Sequence, residues 1–214
     1  MARSFNGSGY VTVASVPVSA KPVSMSCWHW RNTGSPNPVI ICLSRGSGGG
    51  ARDHLYYNIG TSQPVELLQF VSGAFAVVTT SNTGTLDAWN HSGVMFASSG
   101  NSKAYLNGTE TAGSISTGYP SGMTHTVLGA HILNTGAYWQ YTTGRLAEAG
   151  IWSVALTTEE FAALAKGMSP RKIRPQSLVY YARLVRDVKE IKGGLAIADG
   201  GSGNAVADHP RIYA

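Results

Sequence analysis

The sequence predicts an all-β protein: an antiparallel jelly-roll β-sandwich with one short helix and a C-terminal arm. Short strand-like segments recur through the first part of the chain, separated by turns rich in glycine and asparagine. Charged residues make up only 13% of the chain against 43% hydrophobic residues, so apolar side chains suffice to fill a core. A chain of 214 residues is long enough for one well-buried sandwich or for a domain with a small appendage.

Each predicted strand is a short segment that alternates or runs apolar and ends at turn-forming residues. The predicted strands of the first part are residues 11–13, 25–30, 39–43, 55–59, 66–70 and 75–79. The intervening glycines and asparagines favour tight turns at residues 46–50, 82–84 and 107–108. A jelly roll of about eight or more strands is the natural way to bury so many short strands.

One helix is predicted at residues 158–166. Thr157 is suited to cap its N-terminus, and Glu160 three positions later completes a reciprocal capping box. Gly167 supplies the C-terminal stop, because glycine readily adopts the left-handed conformation that ends helices. The face predicted to be buried carries Phe161 and Leu164.

The segment from Gly144 to Phe161, a strand linked to the helix, resembles the closing segment of laminin-G-like, concanavalin A-like domains. Other segments resemble strands of that family in the expected order, at residues 4–13, 24–30, 89–95, 105–108 and 127–130. The resemblance implies a concanavalin A-like sandwich, a fold found in lectins and glucanases. One departure is Ala147, which stands before Glu148 where the family commonly has an acidic pair.

The composition changes after Gly167, which divides the chain into a predicted sandwich at residues 1–168 and a basic strand and arm at residues 169–214. The second part is expected to pack on the sandwich or on a neighbouring subunit, with a strand at residues 177–182 and a turn and short strand within residues 187–195. This strand, a Gly-Gly break and the ending at residues 207–213 resemble the tails of laminin-G-like proteins encoded in bacteriophage genomes.

That resemblance implies a non-enzymatic bacteriophage virion protein, and a capsid decoration (cement) protein on the virion exterior is the leading hypothesis. The chain enters its strand pattern without a visible secretory leader, so synthesis in the host cytoplasm and localisation in the virion are expected. The expected partners are the major capsid protein or other virion proteins, together with self-association, for which a trimer is one expectation. A tail or fibre component is the close alternative.

Most of the formal net charge of +5 belongs to the region after Gly167. A basic patch of this kind suits an acidic partner surface, and a solvated tail is the alternative left open. No aromatic stacking platform accompanies the charge, so nucleic acid is not an expected partner. There is also no apolar run of about 18 residues, so no membrane span is predicted. The residues predicted to dock on a partner are Arg171, Lys172, Arg174, Arg183, Arg186, His209, Arg211 and Tyr213.

No catalytic site is predicted. Retaining glycoside hydrolysis needs two carboxyl groups about 5 Å apart, which acids at positions i and i+2 of a strand supply. Glu66, Glu110 and Glu148 are each solitary in the sequence, and the adjacent Glu159 and Glu160 belong to the helix start. The six histidines are scattered without a partner at a telling spacing, although residues distant in sequence can still converge in space.

Sugar binding is the alternative function. Lectins stack aromatic rings on sugar faces and orient the sugar with amide and carboxylate side chains. The predicted glycan-binding residues are Tyr138, Trp139, Gln140 and Tyr141. Trp139 is the loop aromatic residue of greatest interest, and covering the sandwich edge or a subunit interface is its alternative role. The tryptophans in strand patterns are assigned mainly to the core: Trp28, Trp30, Trp89 and Trp152.

No cofactor or metal is predicted. The resemblance implies calcium as the ion that the superfamily commonly holds, but Asp53, Asp87 and Asp199 form no run of ligands, so calcium stays an alternative. Cys27 and Cys42 lie on neighbouring predicted strands, where a disulfide is geometrically open but two buried thiols are favoured. No Cys/His cluster has the spacing of a structural zinc site.

Overall fold

The structure of the protein, a computed structural model, describes residues 2–32, 37–46, 53–72, 74–98, 100–115, 118–133, 135–185, 189–201 and 205–213. Its strands are β1 (Ala2–Asn6), β2 (Tyr10–Val13), β3 (Val23–Trp30), β4 (Val39–Ser44), β5 (His54–Ile59), β6 (Val65–Val71), β7 (Ala74–Thr79), β8 (Trp89–Ser98), β9 (Asn101–Leu106), β10 (Thr109–Gly113), β11 (His125–Leu128), β12 (His131–Ile132), β13 (Tyr138–Trp139), β14 (Thr143–Trp152), β15 (Leu178–Ala182), β16 (Ala198–Gly200) and β17 (Ala205–Ala207). The helix α1 spans Thr158–Ala165, and a short 3₁₀ turn follows at Pro170–Lys172.

Two antiparallel sheets form the sandwich, which confirms the predicted fold class. The first sheet, as described, has the spatial order β10-β9-β8-β3-β14-β1-β17, and β15 also pairs with β14. The second sheet has the order β16-β2-β11-β4-β5-β6-β7, and β12 pairs with β13 in a separate small ribbon. After residue 168 the chain adds β15 and β17 to the first sheet and β16 to the second, so it extends both sheets.

The predicted strands of the first part are all present, with ends that differ by one or two residues. The strand predicted at residues 127–130 is shifted: β11 ends at Leu128 because Gly129 turns the chain with a φ of 80°. The short strand predicted within residues 187–195 is wrong for the part that the structure describes. Residues 189–195 contribute only an isolated bridge between Glu190 and Ala182. The predicted turn at residues 46–50 lies mostly outside the described residues.

The core lies between the two sheets and follows from strand alternation. Along β3, every second side chain from Val23 faces the other sheet, and burying a large apolar side chain contributes about 1.5–3 kcal/mol to stability. Cys27 belongs to this core, whereas Cys42 packs on the outer face of the second sheet, and both thiols are free. The larger core residues include Phe5, Val11, Met25, Ile41, Leu55, Tyr57, Leu67, Phe96, Leu106, Leu128, Leu146 and Ile151.

Helix α1 covers one end of the outer face of the first sheet. The predicted capping box is confirmed: Thr157 Oγ1 accepts from the Glu160 amide at 3.3 Å, and Glu160 Oε2 accepts from the Thr157 amide at 2.7 Å. Phe161 stacks on Tyr105 with ring centroids 3.9 Å apart. A Cβ at Gly93 would lie 2.4 Å from the Phe161 ring, so the close approach of the helix requires glycine there.

Within the described residues, no helix has the length and hydrophobicity needed to cross a bilayer.

The helix ends at Gly167, as predicted, and the C-terminal arm is bound at the same point. Gly167 has a φ of 93°, and a Cβ there would lie 2.6 Å from the Arg211 carbonyl oxygen. The Gly167 carbonyl accepts a 2.7 Å hydrogen bond from the Tyr213 amide, and the Ser169 amide donates back to the Tyr213 carbonyl at 3.4 Å. Glycine is therefore needed here both to end the helix and to admit the arm.

The assignment of four tryptophans to the core is corrected by the structure. Trp152 is fully buried, but Trp28, Trp30 and Trp89 are half-buried on the outer face of the first sheet. Their positions alternate with core residues along β3 and β8, which places their rings on the solvent side. Arg145 lies over the Trp30 ring at 4.5 Å from its centroid, in cation–π geometry.

Two buried histidines predict a loss of stability in acid. Burial lowers the pKa of His29 to about 3, and the nearby charge of Arg31 adds to the effect. Burial also lowers the pKa of His91 to about 3, with a smaller contribution from His29. A histidine in the unfolded chain keeps a pKa of about 6.5, so the unfolded state binds these protons first as the pH falls. Each histidine therefore reduces the free energy of unfolding by at most about 1.4 kcal/mol per pH unit between pH 6.5 and 3.

The variant His91→Gln tests this in urea unfolding measured at several pH values. We expect its free energy of unfolding to fall less steeply between pH 6.5 and 4 than that of the wild type. His125→Gln, at the partly exposed start of β11, is the control and should leave the slope unchanged. Equal slopes for all three proteins would contradict the prediction.

Candidate functional site

The outer face of the second sheet carries aromatic side chains beneath a short hairpin. Strand alternation turns Cys42 and Tyr56 outward, while their neighbours along β4 and β5 enter the core. The hairpin of β12 and β13 folds over this face, and Ile132 packs into the outer cluster with Val39 and Cys42. The partly buried rings of Tyr10, Phe70, Tyr138 and Tyr141 surround that cluster.

Three tyrosines form the first aromatic group, at the β2 side of the face. Tyr10 and Tyr138 stack with ring centroids 3.7 Å apart and planes 17° apart, and Tyr141 lies 6.3 Å from Tyr10. The Tyr138 hydroxyl lies 3.5 Å from Thr12 Oγ1, at the limit of a hydrogen bond. Burial, reinforced by Tyr138, raises the pKa of Tyr10.

Trp139 projects from the same hairpin as Tyr138. It follows Tyr138 in a strand, so its ring points to the opposite side of the hairpin, and it is 55% exposed. Gln140 then adopts a left-handed φ of 50°, and its carbonyl accepts a 3.1 Å hydrogen bond from the Val39 amide. That bond fixes the hairpin to β4. The side-chain Oε1 of Gln140 is buried, with no hydrogen-bond partner among the described residues.

The structure therefore brings Tyr138 and Tyr141 together around Tyr10, places Trp139 on the other side of the hairpin, and turns the amide oxygen of Gln140 inward. Whether these four residues bind a glycan stays a prediction. Sequence reasoning missed Tyr10, because only the folding of the hairpin over β2 brings it against Tyr138. Alternation along β2 places Tyr10 on the outer face, and that pattern was the available indication.

A second aromatic group continues toward the edge strand β7. Tyr56 and Phe70 lie nearly parallel with centroids 6.2 Å apart, and Phe70 lies 4.8 Å from Phe75. The His131 ring also stacks on the Tyr56 ring, with centroids 4.9 Å apart. Phe75 is 53% exposed, so this row of rings runs from the covered centre of the sheet to its open edge.

On the outer face of the first sheet, Glu148 organises a polar pocket of about 400 Å³. Its side chain is buried, and Tyr181 donates its hydroxyl to Glu148 Oε2. His209 Nε2 lies 3.1 Å from Glu148 Oε1, and its Nδ1 lies 2.7 Å from the Pro210 carbonyl oxygen. Burial, then Glu148, raises the pKa of Tyr181. Sequence reasoning treated Glu148 as a solitary acid, and its role depends on these distant partners.

Some of the predicted docking residues line this pocket, and Tyr213 lines the groove beside helix α1. Arg171, Lys172 and Arg183 line the Glu148 pocket, and Arg183 Nε lies 3.8 Å from Glu148 Oε1. Arg174 donates to Glu160 Oε1 at 2.6 Å, so its charge is already paired within the chain. The remaining predictions are His209 against Glu148, Arg211 and Tyr213 exposed on the arm, and Arg186, which lies outside the described residues. Docking by these residues stays a prediction.

The three acids considered for calcium have separate surroundings. Asp53 accepts from the Ser72 amide at 3.0 Å and lies 3.5 Å from Arg45, while Asp199 pairs with Arg3. Asp87 is exposed in the turn before β8. Among the described residues, the potential metal ligands that converge in one group are instead Cys42, His54 and His131, whose donor atoms all lie within 4.8 Å of one another.

The chain belongs to the Concanavalin A-like lectin/glucanases superfamily, whose laminin-G-like family model matches residues 5–162. No curated protein matches the sequence. The described fold and this match agree on a lectin-like sandwich.

Solved structures of the same fold include sugar-binding proteins. A putative carbohydrate binding protein from Bacteroides ovatus is similar with a TM-score of 0.69 and 16% identity, over 99% of this chain and 61% of that one. A heptameric SAP-like pentraxin from Limulus polyphemus is similar with a TM-score of 0.65 and 14% identity, over 94% of each chain. The CBM40 of Ruminococcus gnavus IT-sialidase bound to α2,3-sialyllactose is similar with a TM-score of 0.65 and 11% identity, over 76% of this chain and 95% of that one. At such identities the likeness shows the fold alone.

The Glu148 pocket generates a test with two neighbouring tyrosines of β15. Tyr181→Phe removes the hydroxyl that donates to buried Glu148, and a hydrogen bond to a charged group contributes about 1.5–3 kcal/mol. Tyr180 is equally buried, but its hydroxyl has no hydrogen-bond partner among the described residues. In urea unfolding we expect Tyr181→Phe to lower the free energy of unfolding by about 2 kcal/mol. The matched Tyr180→Phe should leave that free energy unchanged. The reverse order would show that Glu148 does not hold this pocket together.

Proposed function

We propose that the chain is a non-enzymatic carbohydrate-binding module that binds a glycan around the β12–β13 hairpin, with Trp139 on one side of the hairpin and Tyr10, Tyr138 and Tyr141 on the other. The observation that carries the proposal is a hairpin with a 55% exposed tryptophan, Trp139, on one side and the Tyr10–Tyr138 stack on the other. The C–H face of a sugar ring is apolar and packs on an aromatic ring, while its hydroxyls need hydrogen-bond partners. Tyrosine supplies both a ring and a hydroxyl.

Two further features support this surface as the binding site. The ring planes of Tyr10 and Tyr138 are fixed by their stack, by Thr12 and by the outer cluster, so little side-chain freedom remains to be lost on binding. The Gln140–Val39 hydrogen bond holds the hairpin in place, which fixes Trp139 relative to the tyrosines. The similar structures with bound or named carbohydrate add support from the same fold.

Replacement of Trp139 tests the proposal directly. Screening the purified chain on an array of sialylated and neutral oligosaccharides should identify a ligand, whose affinity is then measured by titration calorimetry. We expect Trp139→Ala to weaken binding at least about tenfold, because truncating an aromatic anchor costs about 1.4 kcal/mol or more. Phe75→Ala removes a comparably exposed ring at the far edge of the same sheet and should leave the affinity unchanged. No ligand on the array, or equal losses in both variants, would contradict the proposal.

A second candidate function is a structural role in a bacteriophage virion, most directly as a capsid decoration protein on its exterior. The observation that favours it is a groove of about 470 Å³ between helix α1 and the arm, where Tyr213 is 65% exposed. Exposed apolar surface flanked by charge is typical of protein interaction sites, and Lys166 and Lys172 flank this groove. The proposed partners are the major capsid protein, other virion proteins or further copies of this chain, including a trimer.

Reversal of charge at this surface distinguishes the two functions. We expect the wild-type chain to sediment with capsid-sized particles from its native source, and the double variant Arg171→Glu with Lys172→Glu to be released. Trp139→Ala is the reciprocal control and should remain with the particles. A wild-type chain that sediments alone as a small species would contradict the virion role and leave glycan binding as the function to pursue.

A further inference from the structure

Cys42, His54 and His131 meet on the outer face of the second sheet, although no local spacing joins them. Cys42 and His54 lie on the paired strands β4 and β5, and His131 belongs to β12, which lies over β4. All three side chains are buried, and the sulfur and one ring nitrogen from each histidine lie within 4.8 Å of one another. The cluster lies on the same sheet face as the Tyr10–Tyr138 stack, whereas the Glu148 pocket lies on the first sheet.

Hydrogen bonds orient the His54 ring toward this cluster. Ser44 Oγ donates to the Ile132 carbonyl at 2.9 Å, because a carbonyl can only accept. The same oxygen lies 2.7 Å from His54 Nδ1 and therefore accepts from an Nδ1–H group. In the neutral imidazole this leaves the lone pair on Nε2. A ligating histidine usually has its other nitrogen bound in this way, which fixes both ring orientation and tautomer.

The His131 ring is fixed by packing. It stacks on Tyr56 with centroids 4.9 Å apart and planes 21° apart, and it stands perpendicular to the His54 ring at 4.4 Å. The same short strand carries Ile132, whose carbonyl receives the Ser44 hydrogen bond. Ser44 therefore links the His54 ring to the hairpin that carries His131.

We propose that Cys42, His54 and His131 form a binding site for a thiophilic first-row metal ion, with Zn²⁺ as the ion that the donor set fits best. One thiolate and two imidazoles suit zinc, whereas calcium and magnesium require oxygen ligands. Three protein ligands leave the fourth tetrahedral position for water or another donor. Bond lengths of about 2.0–2.3 Å place tetrahedral donors roughly 3.5 Å apart, so the donor atoms, which lie within 4.8 Å of one another, must approach by at most about 1 Å when the ion binds.

Metal binding must also displace the thiol proton. An ordinary thiol is mainly protonated at neutral pH, so ion binding converts Cys42 to the thiolate and releases one proton. The ion would join β4, β5 and the β12–β13 hairpin at one point. Since it binds the folded chain, it raises the melting temperature in proportion to the logarithm of its concentration above the dissociation constant.

The test uses the full chain after treatment with a chelator, with Zn²⁺ and Co²⁺ as the probes. We expect one Zn²⁺ per chain in competition with a chromophoric chelator, and a sulfur-to-cobalt charge-transfer band in the near ultraviolet with Co²⁺. The band reports thiolate coordination in the wild-type protein, so it decides the proposal even if a ligand variant fails to fold.

Variants assign the ligands. Cys42→Ser should abolish the cobalt band and weaken Zn²⁺ binding by about 100-fold or more, and His131→Gln should weaken binding similarly. Ser44→Ala should keep the band but weaken binding by about 10- to 100-fold, because it removes the hydrogen bonds that orient His54 and join it to the hairpin while leaving all three ligands in place. The matched control is Cys27→Ser at the other buried cysteine, which should change neither the cobalt band nor the Zn²⁺ affinity. Absence of stoichiometric binding, a missing cobalt band, or a band lost in Cys27→Ser instead of Cys42→Ser would overturn the proposal.

Discussion

The bulge at Glu148 in β14 is the constraint on which both faces of the first sheet depend. Two residues of β14 face one residue of β3 there, and Glu148 adopts a left-handed φ of 56°. Leu146 before the bulge and Ala149 after it both enter the core. Strict alternation from Leu146 would instead turn the Glu148 carboxylate into that core, where an ion without partners is very costly. The bulge moves it to the outer face.

The same bulge organises the C-terminal part of the chain. The first half of β14 pairs with β1 and its second half with β15, and the change of partner falls at Glu148. Its backbone amide donates to the Arg183 carbonyl at 3.2 Å, while its side chain meets Tyr181 of β15 and His209 of the arm. One residue thus provides the position for the last long strand and the partner for the arm that follows it.

The two sheets share one core but differ in what covers their outer faces. Helix α1 and the arm close much of the first sheet, through the Phe161–Tyr105 stack and the contacts at Gly167. Over the second sheet, the cover is a hairpin of two short strands that leaves aromatic rings at its margins. A sandwich core requires apolar side chains on the inner faces only, so the outer faces are free to carry different chemistry. Both proposed binding surfaces and the Cys/His cluster lie on these outer faces.

The sequence by itself determined the elements whose causes are local. Residues 25–30 alternate with a period of two, and Thr157, Glu160 and Gly167 specify both ends of the helix through bonds to their own neighbours. The aromatic residues within 138–141 can likewise be identified from the sequence, because they are adjacent in it. Only the tertiary structure decided which distant side chains meet: Tyr10 with Tyr138, Glu148 with His209, and Cys42 with His54 and His131. Those contacts depend on sheet order, register and one bulge, and in a sandwich these are set by long-range pairing that no local pattern encodes.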